Sequence, residues 1–388
     1  MKTACCTISA NNFLSYGLDC LLSNKKYNNY EYFYLIADEF IGDLYTKYQN
    51  EIHFIDLNKI GIDKDILIDL EFKYNIVEFN TSVKPAFYKY LFSLGYENVI
   101  YLDPDIESYS CFSYLDDLLT KNNIILTPHK CTDIKSTFFN ENAFLNNGIY
   151  NLGFIAMHNS ETTQKFLNWW DFSLRDACYL DYEKGMATDQ IWANLVPIYF
   201  DGVYITKHPG MNLAFWNIDE RKITKNNNSI TINDYELLFI HFSSLSIGCK
   251  QELLERIYSI EPNFKYIYEK HIDNIKSYDY EKFSKIQYKF NYYETGDFIS
   301  KEEKRFYGYS KLNLCYKNPF SNTKKSFYND MKKNKIKFNN TKTNRKENVI
   351  KIFITLLGIR RVVKLSTIFS GFNINYISRL YANLSNNK

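Results

Sequence analysis

The most constraining feature of this sequence is an alternation of short apolar runs with helical segments in its first hundred residues. Thr3 to Ser9, Tyr30 to Ala37 and Asn98 to Leu102 are apolar runs of strand length, whereas Val83 to Leu94 has helical spacing. The polar residues at 80–82 predict an N-cap for that helix. Strands that alternate with helices are typical of an α/β fold, so we expect a mainly parallel sheet flanked by helices.

Two carboxylates directly follow one of these predicted strands. Asn98 to Leu102 runs into Asp103-Pro104-Asp105, and ligands of open α/β sheets bind at the carboxyl ends of the strands. Two carboxylates one residue apart can share a hard divalent cation whose remaining positions go to phosphate oxygens. Asp-x-Asp is also a common turn sequence. The position after a buried strand favours the metal site over the turn.

Three further polar residues are candidates for the same site, each with a structural alternative. His241 ends an apolar run and is either a third metal ligand or a core histidine. Asp189 precedes a short apolar segment and is either an N-cap or a carboxylate beside a reacting carbon. Asn151 either binds sugar hydroxyls or is an ordinary strand-end asparagine. Gly153 marks a point where another group can approach the backbone closely.

The charge of the chain is divided unevenly along its length. The formal net charge is +3, but residues 321–388 hold fifteen basic and two acidic side chains, so residues 1–320 are net acidic. The composition of 321–348 predicts a solvated Asn- and Lys-rich linker. Residues 349–388 combine apolar and basic residues, which fits either a small terminal helix or attachment to an anionic membrane surface. Nucleic acid is disfavoured as a partner because the body is acidic.

Several broad classes are excluded by composition. With 45% hydrophobic and 23% charged residues the chain is neither disordered nor a disulfide scaffold. The eight cysteines form no CxxC pair, the N-terminus has no signal-peptide pattern, and no apolar stretch is long enough to span a bilayer. We therefore expect a cytoplasmic protein, with the basic tail giving peripheral attachment at the inner face of the membrane if it binds lipid.

The ordered set of motifs resembles bacterial nucleotide-sugar glycosyltransferases of the GT-A fold, close in layout to glycosyltransferase family 8. The resemblance runs from Thr7 to roughly Phe320 and covers the segments 7–12, 78–85, 101–106, 150–154, 189–190, 208–217 and 241–242. It implies a Rossmann-like catalytic domain at 1–250 and a helical extension at 251–320 on the acceptor side. The linker at 321–348 and the terminal segment at 349–388 lie outside it.

The resemblance also implies a role for each candidate residue. Asp103, Asp105 and His241 would hold Mn²⁺ or Mg²⁺ against the diphosphate of a UDP-sugar. Asn151 and the pair Asp189 and Gln190 would line the transferred sugar. The remaining donor-binding residues would be Thr7, Ser9, Ala10 and Asn12, which receive the uridine, and Lys84, near the diphosphate or ribose. The acceptor would be a glycan, a glycolipid or a protein hydroxyl.

The expected reaction is transfer of a sugar, and its stereochemistry depends on the use of Asp189. Cleavage of the sugar–phosphate bond builds negative charge on the departing diphosphate, which a metal neutralises. An inverting enzyme needs a general base for the acceptor hydroxyl, and Asp189 is the candidate. A retaining enzyme, which the family 8 layout favours, needs no such base and places Gln190 near the anomeric carbon. The alternatives are a sugar-1-phosphate nucleotidyltransferase and a non-catalytic glycan- or nucleotide-binding protein of a surface assembly.

Overall fold

The structure of the chain, a computed structural model, describes residues 2–225 and 229–333. The predicted terminal segment at 349–388 and most of the predicted linker at 321–348 lie outside the described residues. No helix within the described ranges has the length and apolar character that a bilayer span requires.

The described residues contain fourteen strands, all of them in the first 250 residues. The strands are β1 (Thr3–Ser9), β2 (Glu31–Ile36), β3 (His53–Asp56), β4 (Asn98–Leu102), β5 (Ile106–Ser108), β6 (Ile124–Pro128), β7 (Tyr150–His158), β8 (Leu180–Asp181), β9 (Met186–Ala187), β10 (Val203–Ile205), β11 (Ile223–Lys225), β12 (Ile230–Ile232), β13 (Tyr235–Glu236) and β14 (Phe239–His241).

Fourteen α-helices are interleaved with these strands and continue beyond them. They are α1 (Leu14–Lys25), α2 (Gly42–Tyr45), α3 (Lys64–Lys73), α4 (Ile76–Ser82), α5 (Lys84–Ser93), α6 (Ser113–Leu119), α7 (Glu141–Asn147), α8 (Glu161–Ala177), α9 (Val196–Tyr199), α10 (Gln251–Ile260), α11 (Phe264–Ser277), α12 (Tyr280–Phe283), α13 (Lys301–Tyr309) and α14 (Phe327–Lys333). Short 3₁₀ helices occur at Asn11–Phe13, Leu57–Lys59, Tyr182–Lys184, Gln190–Leu195, Phe215–Glu220, Lys289–Asn291 and Leu312–Leu314.

Seven strands form the main sheet in the order β10-β6-β7-β4-β1-β2-β3. Four neighbouring pairs are parallel, and only β7, inserted between β4 and β6, runs antiparallel to both neighbours. The expected α/β class with a mainly parallel sheet is therefore confirmed. The smaller sheets are β11-β12-β13, β14-β5 and β8-β9.

Helices cover both faces of the main sheet. Ile100 and Leu102 of β4 belong to one core cluster with residues of α1 and α6. Tyr101, which alternates with them, points to the other face, where the ammonium group of Lys84 on α5 lies 4.4 Å from its ring centroid. The same helix packs against α8. Because successive strand residues face opposite sides, burial on both faces explains why these strands read as nearly continuous apolar runs.

The chain divides into two compact units. The first contains the residues up to Leu70 and Ile76–Lys289, and the second contains Glu71–Asn75 and the described residues from Phe290 onward. The division falls after Lys289 rather than at residue 250, because α10 and α11 pack within the first unit: Leu254 and Phe264 share a core cluster with Trp216. The helices that were predicted as one extension from residue 251 are thus divided between the two units.

The second unit has a small core of its own. It is dominated by aromatic side chains and contains Phe72, Tyr293, Ile299, Phe306, Tyr307, Leu312, Phe327 and Met331. Lys304 is buried beside this core, and its ammonium group donates to the carbonyl oxygens of Phe290, Phe72 and Tyr74 at 2.7, 3.2 and 3.2 Å. A buried ammonium group is tolerated there because carbonyl oxygens replace the water it loses.

One local prediction was wrong. Residues 80–82 do not cap the following helix, since they form the last turn of α4. The residue before α5 is Val83, which makes no side-chain capping bond, and Pro85 lies in the first turn. The missing N–H of Pro85 removes one of the donors that a cap would have to satisfy, so the helix begins without polar capping chemistry.

Candidate metal and donor site

Three potential metal ligands converge beyond the carboxyl end of β4. Asp103 and Asp105 follow that strand directly, and His241 ends β14, which pairs antiparallel with β5 so that His241 lies opposite Ile106. The imidazole Nε2 lies 3.0 Å from Oδ1 of Asp105 and 3.9 Å from Oδ2 of Asp103. One ligand atom from each residue lies within 4.8 Å of the others. Two carboxylate oxygens and one imidazole nitrogen form a donor set that suits Mn²⁺ or Mg²⁺.

Asp105 and His241 are electrostatically paired. Burial alone disfavours the charged form of each group, but the negative charge of Asp105 and its hydrogen bond outweigh burial and raise the pKa of His241. In turn, burial raises the pKa of Asp105 less than the imidazolium lowers it, so the pKa of this carboxyl lies below its ordinary value. Asp105 is therefore ionised, and a metal cation bound here would replace the Nε2 proton of His241 as its counter-charge.

The ring of His241 is oriented by Asn151, the strand-end asparagine of β7. Oε1 of Gln190 accepts the backbone N–H of Leu152 at 3.2 Å and the amide of Asn151 at 3.1 Å. The Asn151 atom that faces Gln190 is therefore its NH₂ group, and its oxygen faces Nδ1 of His241 at 3.0 Å. An amide oxygen only accepts, so Nδ1 carries a proton. Nε2 is left as the ligand atom directed at the carboxylates.

His129 completes this chain of hydrogen bonds, and its role was not predicted from the sequence. Its Nε2 lies 3.2 Å from the amide nitrogen of Asn151. Burial lowers the pKa of His129 to about 4, so the ring is neutral near pH 7 and its Nε2 accepts the amide proton. Trp216 packs edge-on against both imidazoles, at centroid distances of 5.5 Å from His129 and 5.2 Å from His241.

Only glycine fits at position 153 of β7, because any side chain there would collide with neighbouring residues. A Cβ at this position would lie 2.9 Å from Oδ1 of Asn151 and closer still to the ring of His241. Real Cβ atoms do not approach other atoms so closely. The carbonyl of Gly153 also accepts the N–H of Asp103 at 2.7 Å. The close backbone approach that the sequence predicted at this glycine is therefore the contact between β7 and His241, the candidate metal ligand.

Lys84 is a buried cation between two carboxylates. Its ammonium group lies 2.9 Å from Oδ2 of Asp189 and 3.6 Å from Oδ1 of Asp103, and it donates to the carbonyl of Leu152 at 2.9 Å. Burial works against the charge of Lys84, but Asp189 and Asp103 together raise its pKa above the ordinary value. Burial raises the pKa of Asp189, and Lys84 opposes that shift. Lys84 therefore ties Asp189 to the edge of the metal site.

Asp189 does not act as the helix cap that was its structural alternative. It precedes the 3₁₀ helix Gln190–Leu195 but makes no capping bond. The preceding residue, Thr188, has a φ of 52°, a left-handed conformation that is uncommon for a residue with a side chain. This turn directs Asp189 inward to Lys84. The neighbouring Gln190 uses its oxygen on Asn151 and Leu152, and its nitrogen donates to the carbonyl of Asn147 at 3.0 Å.

The predicted uridine loop lies at the carboxyl end of β1, the neighbour of β4 in the sheet. Thr7, Ser9 and Ala10 are fully buried, and the hydroxyl of Ser9 pairs with the hydroxyl of Tyr34 at 2.6 Å. Asn12 is only partly buried. The side chains of the first three residues therefore belong to the core.

Asp38 is a second residue that sequence reasoning missed. It follows β2, whose end lies beside that of β1, and its carboxylate accepts the backbone N–H of Asn11 at 3.3 Å and that of Lys289 at 3.0 Å. Burial raises the pKa of this carboxyl, while these backbone donors lower it. The signal that identified Asp103, a carboxylate just after a buried strand, is equally present at Asp38.

Comparisons with known proteins give distant similarities. No known protein-family profile matches the sequence. The uncharacterized protein YfnD of Bacillus subtilis (strain 168) is 26% identical over 206 residues, which are 51% of this chain and 65% of YfnD. The chain thus spans less than two thirds of the length of this curated relative.

Among solved structures, similar chains include glycosyltransferases of low sequence identity. The galactosyltransferase LgtC, in complex with donor and acceptor sugar analogs, is 14% identical with a TM-score of 0.42, covering 66% of this chain and 94% of LgtC. GlyE of Streptococcus pneumoniae TIGR4 is 14% identical with a TM-score of 0.40, covering 74% and 66% of the two chains. Mouse xyloside xylosyltransferase 1 is 11% identical with a TM-score of 0.39, covering 62% and 97%.

Proposed function

We propose that this chain is a metal-dependent glycosyltransferase that moves a sugar from a nucleotide diphosphate donor, a UDP-sugar, to a hydroxyl of a glycan, glycolipid or protein. The observation that carries the proposal is the convergence of Asp103, Asp105 and His241 at the carboxyl end of β4. The carboxylate side chains are 29% and 21% exposed, whereas the histidine is buried. A cation held from the protein side thus keeps coordination positions on the open side for diphosphate oxygens.

The bound Mn²⁺ or Mg²⁺ would neutralise the charge that develops on the departing diphosphate. The residues of the chain hold this cation in place: Asn151 fixes the ring of His241, and Tyr101 donates to Oδ1 of Asp103 at 2.6 Å. Lys84 adds one positive charge on the protein side of Asp103. We infer that the backbone at Ser9 and Ala10, together with the side chain of Asn12, receives the nucleoside.

We further propose that transfer proceeds with retention of anomeric configuration. An inverting reaction needs an accessible base, and Asp189 is buried with its carboxylate 2.9 Å from Lys84. A carboxylate in that position is poorly placed to take a proton from an acceptor hydroxyl. The side chain of Gln190 lies beside Asn151, a position from which both amides would line the transferred sugar. Retention needs no protein base and is consistent with this arrangement.

The proposed cellular setting follows from the sequence rather than from the site. We propose a cytoplasmic enzyme whose basic tail attracts an anionic membrane surface, where a lipid-linked acceptor would be found. Most of that tail lies outside the described residues. Loss of vesicle binding on deletion of residues 334–388, with the rate of donor hydrolysis unchanged, is the expected result. Equal partition of both chains onto anionic vesicles would contradict the attachment.

The central test is release of UDP from a panel of UDP-sugars by the full chain. We expect activity with Mn²⁺ or Mg²⁺, its loss with a chelator, and its loss in Asp103→Asn and Asp105→Asn. Asp117→Asn, at an exposed acidic position, is the matched control and should keep full activity. Activity that survives both the chelator and the two site substitutions would refute the proposal. Formation of pyrophosphate from UTP and a sugar-1-phosphate would indicate a nucleotidyltransferase instead, and metal binding without any turnover would indicate a binding protein.

A further inference from the structure

A second group of potential metal ligands lies in the first unit, separate from the site described above. It consists of Asp19 on α1, Glu107 on β5 and His271 on α11, with one ligand atom of each within 4.8 Å of the others. All three side chains are buried, and the exposed fraction of Asp19 is 0%. The sequence analysis did not single out any of the three, because they come from distant parts of the chain.

Among the described residues, the two carboxylates of this group lack a full set of hydrogen-bond donors and of positive charges nearby. Nδ1 of His271 lies 2.9 Å from Oε2 of Glu107, with which it is hydrogen-bonded, and 3.3 Å from Oδ2 of Asp19. In the part of the chain that the structure describes, no donor makes a hydrogen bond of good geometry to either carboxylate oxygen of Asp19, and the nearest cationic group is His271, 3.3 Å from Oδ2. No lysine or arginine of the described ranges lies within ion-pair distance of either carboxylate. Within residues 2–225 and 229–333, His271 is thus the one potential cation within ion-pair distance of these two buried carboxylates, and an uncompensated buried charge is costly.

We propose that Asp19, Glu107 and His271 bind a divalent cation in a structural site, where Oδ1 of Asp19, also unpaired among the described residues, supplies the fourth donor that a closed site needs. Two carboxylates, a neutral imidazole and a divalent cation sum to zero net charge, which removes the imbalance. An imidazole nitrogen with two carboxylate oxygens is a ligand set that zinc accepts. Ligand atoms of tetrahedral zinc lie roughly 3.3 Å apart for bonds of about 2.0–2.1 Å. The separations of 2.9 and 3.3 Å around Nδ1 are close to that value.

The surroundings hold the ligands in place. Asn274 donates to Oε1 of Glu107 at 2.9 Å, and the hydroxyl of Tyr109 donates to Oε2 at 3.2 Å. The ring of Phe242 stacks on that of His271 with a centroid distance of 3.7 Å and an interplanar angle of 5°. Partners of this kind fix the orientation of ligating groups in known metal sites.

Phe242 connects the proposed cation site to the first site, because it stacks on His271 and follows His241 in the chain. Phe242 is the residue after His241, and its N–H donates to the carbonyl of Asp105 at 2.8 Å. A cation that holds His271 thus also holds the residue that follows the histidine of the first site. The second group is buried on all sides and offers no exposed carboxylate for a substrate, so the expected role is to stabilise the fold, as closed zinc sites do.

The test measures the number of zinc ions bound per full-length chain after saturation with Zn²⁺ and desalting. The wild type and the Asp103→Asn/Asp105→Asn variant are both expected to retain about one tightly held zinc per chain. His271→Gln is expected to lose it, and His53→Gln, at an exposed histidine, is the matched control. Equal zinc in the wild type and His271→Gln, loss of all zinc in Asp103→Asn/Asp105→Asn, or no zinc in the wild type would each overturn the proposal.

A second measurement covers the case in which His271→Gln does not fold. In the Asp103→Asn/Asp105→Asn background, Zn²⁺ is expected to raise the melting temperature. Adding the near-isosteric Asp19→Asn substitution is expected to abolish that rise, because it removes one ligand charge and leaves the shape of the side chain. An equal rise with and without Asp19→Asn, or no rise in the parent, would show that the group is an ion-pair cluster without a cation.

Discussion

The amide oxygen of Asn151 lies 3.0 Å from Nδ1 of His241. This contact joins β7, the antiparallel strand of the main sheet, to the end of β14 in a different sheet. It gives Asn151 a role that the sequence comparison did not suggest, since the resemblance placed this residue against the transferred sugar. We propose that the same side chain also lines the transferred sugar, since it lies beside the candidate cation that would bind the donor diphosphate.

We predict that Asn151→Ala weakens Mn²⁺ binding by about 10- to 100-fold, the usual cost of removing the partner of a metal-ligating histidine. The ring of His241 would lose the acceptor that fixes its tautomer. Mn²⁺ titration followed by electron paramagnetic resonance measures the affinity. Asn58→Ala, at an exposed asparagine, is the control and should bind as the wild type does. An unchanged affinity in Asn151→Ala would show that the hydrogen bond does not orient the ligand.

We predict that Gly153→Ala disrupts the metal site while the sheet stays folded. The added methyl group would collide with His241 and Asn151 and displace the ligand nitrogen. Gly42→Ala is a matched control, since a Cβ there meets nothing within 4 Å. We expect at least a tenfold loss of Mn²⁺ affinity in the first variant and none in the second. Far-ultraviolet circular dichroism checks that both chains keep their secondary structure.

We predict that Lys84→Met destabilises the protein by about 3–5 kcal/mol, because it leaves the buried carboxylate of Asp189 without its partner. Urea unfolding measures the change. Adding Asp189→Asn should recover a large part of the loss, since the uncompensated charge is then removed. Lys165→Met, which breaks a solvent-exposed pair with Glu161, should leave the unfolding free energy nearly unchanged, because solvent screens the pair. Equal losses in the two single lysine variants would contradict the buried pair.

We predict a specific acid sensitivity from His129. Its pKa is about 4 in the folded chain and 6.5 ordinarily, so between these values the unfolded chain binds a proton that the folded chain excludes. The stabilisation is complete above pH 6.5 and is lost as the pH falls through 4, by on the order of 3 kcal/mol. Unfolding free energies of wild type and His129→Gln, measured from pH 7 to 4, isolate this contribution. Parallel pH profiles would contradict it.

The sequence was sufficient for the elements whose signals are local. The strand limits Thr3–Ser9 and Asn98–Leu102 coincide with β1 and β4, because a buried parallel strand is a continuous apolar run bounded by polar residues. The carboxylate pair after β4 could be located for the same reason. The cap predicted at residues 80–82 failed because polar residues of that type also fit the last turn of a helix, and tertiary packing decided between the two.

The contacts that complete the site could not be predicted, since they depend on strand pairing over long separations. His129 meets Asn151 through the pairing of β6 with β7. Lys84 was expected near a donor, but its partners Asp103 and Asp189 are brought to it by different elements. Glu107 and His271 are 164 residues apart in the chain. No local pattern specifies such pairs, and only the assembled sheet makes them neighbours.

The pairing of β5 with β14 fixes the position of His241, whereas the length of the chain between the two strands does not affect that position. His241 stands opposite Ile106, and Phe239 opposite Ser108, and a slip of one residue would turn the histidine to the other side of the strand. The long stretch of chain between these strands contains exposed turns, such as the hairpin of β8 and β9. Insertions in such a turn would leave the register of His241 against Ile106 intact, so the loop lengths between the two strands can change without moving the candidate ligand.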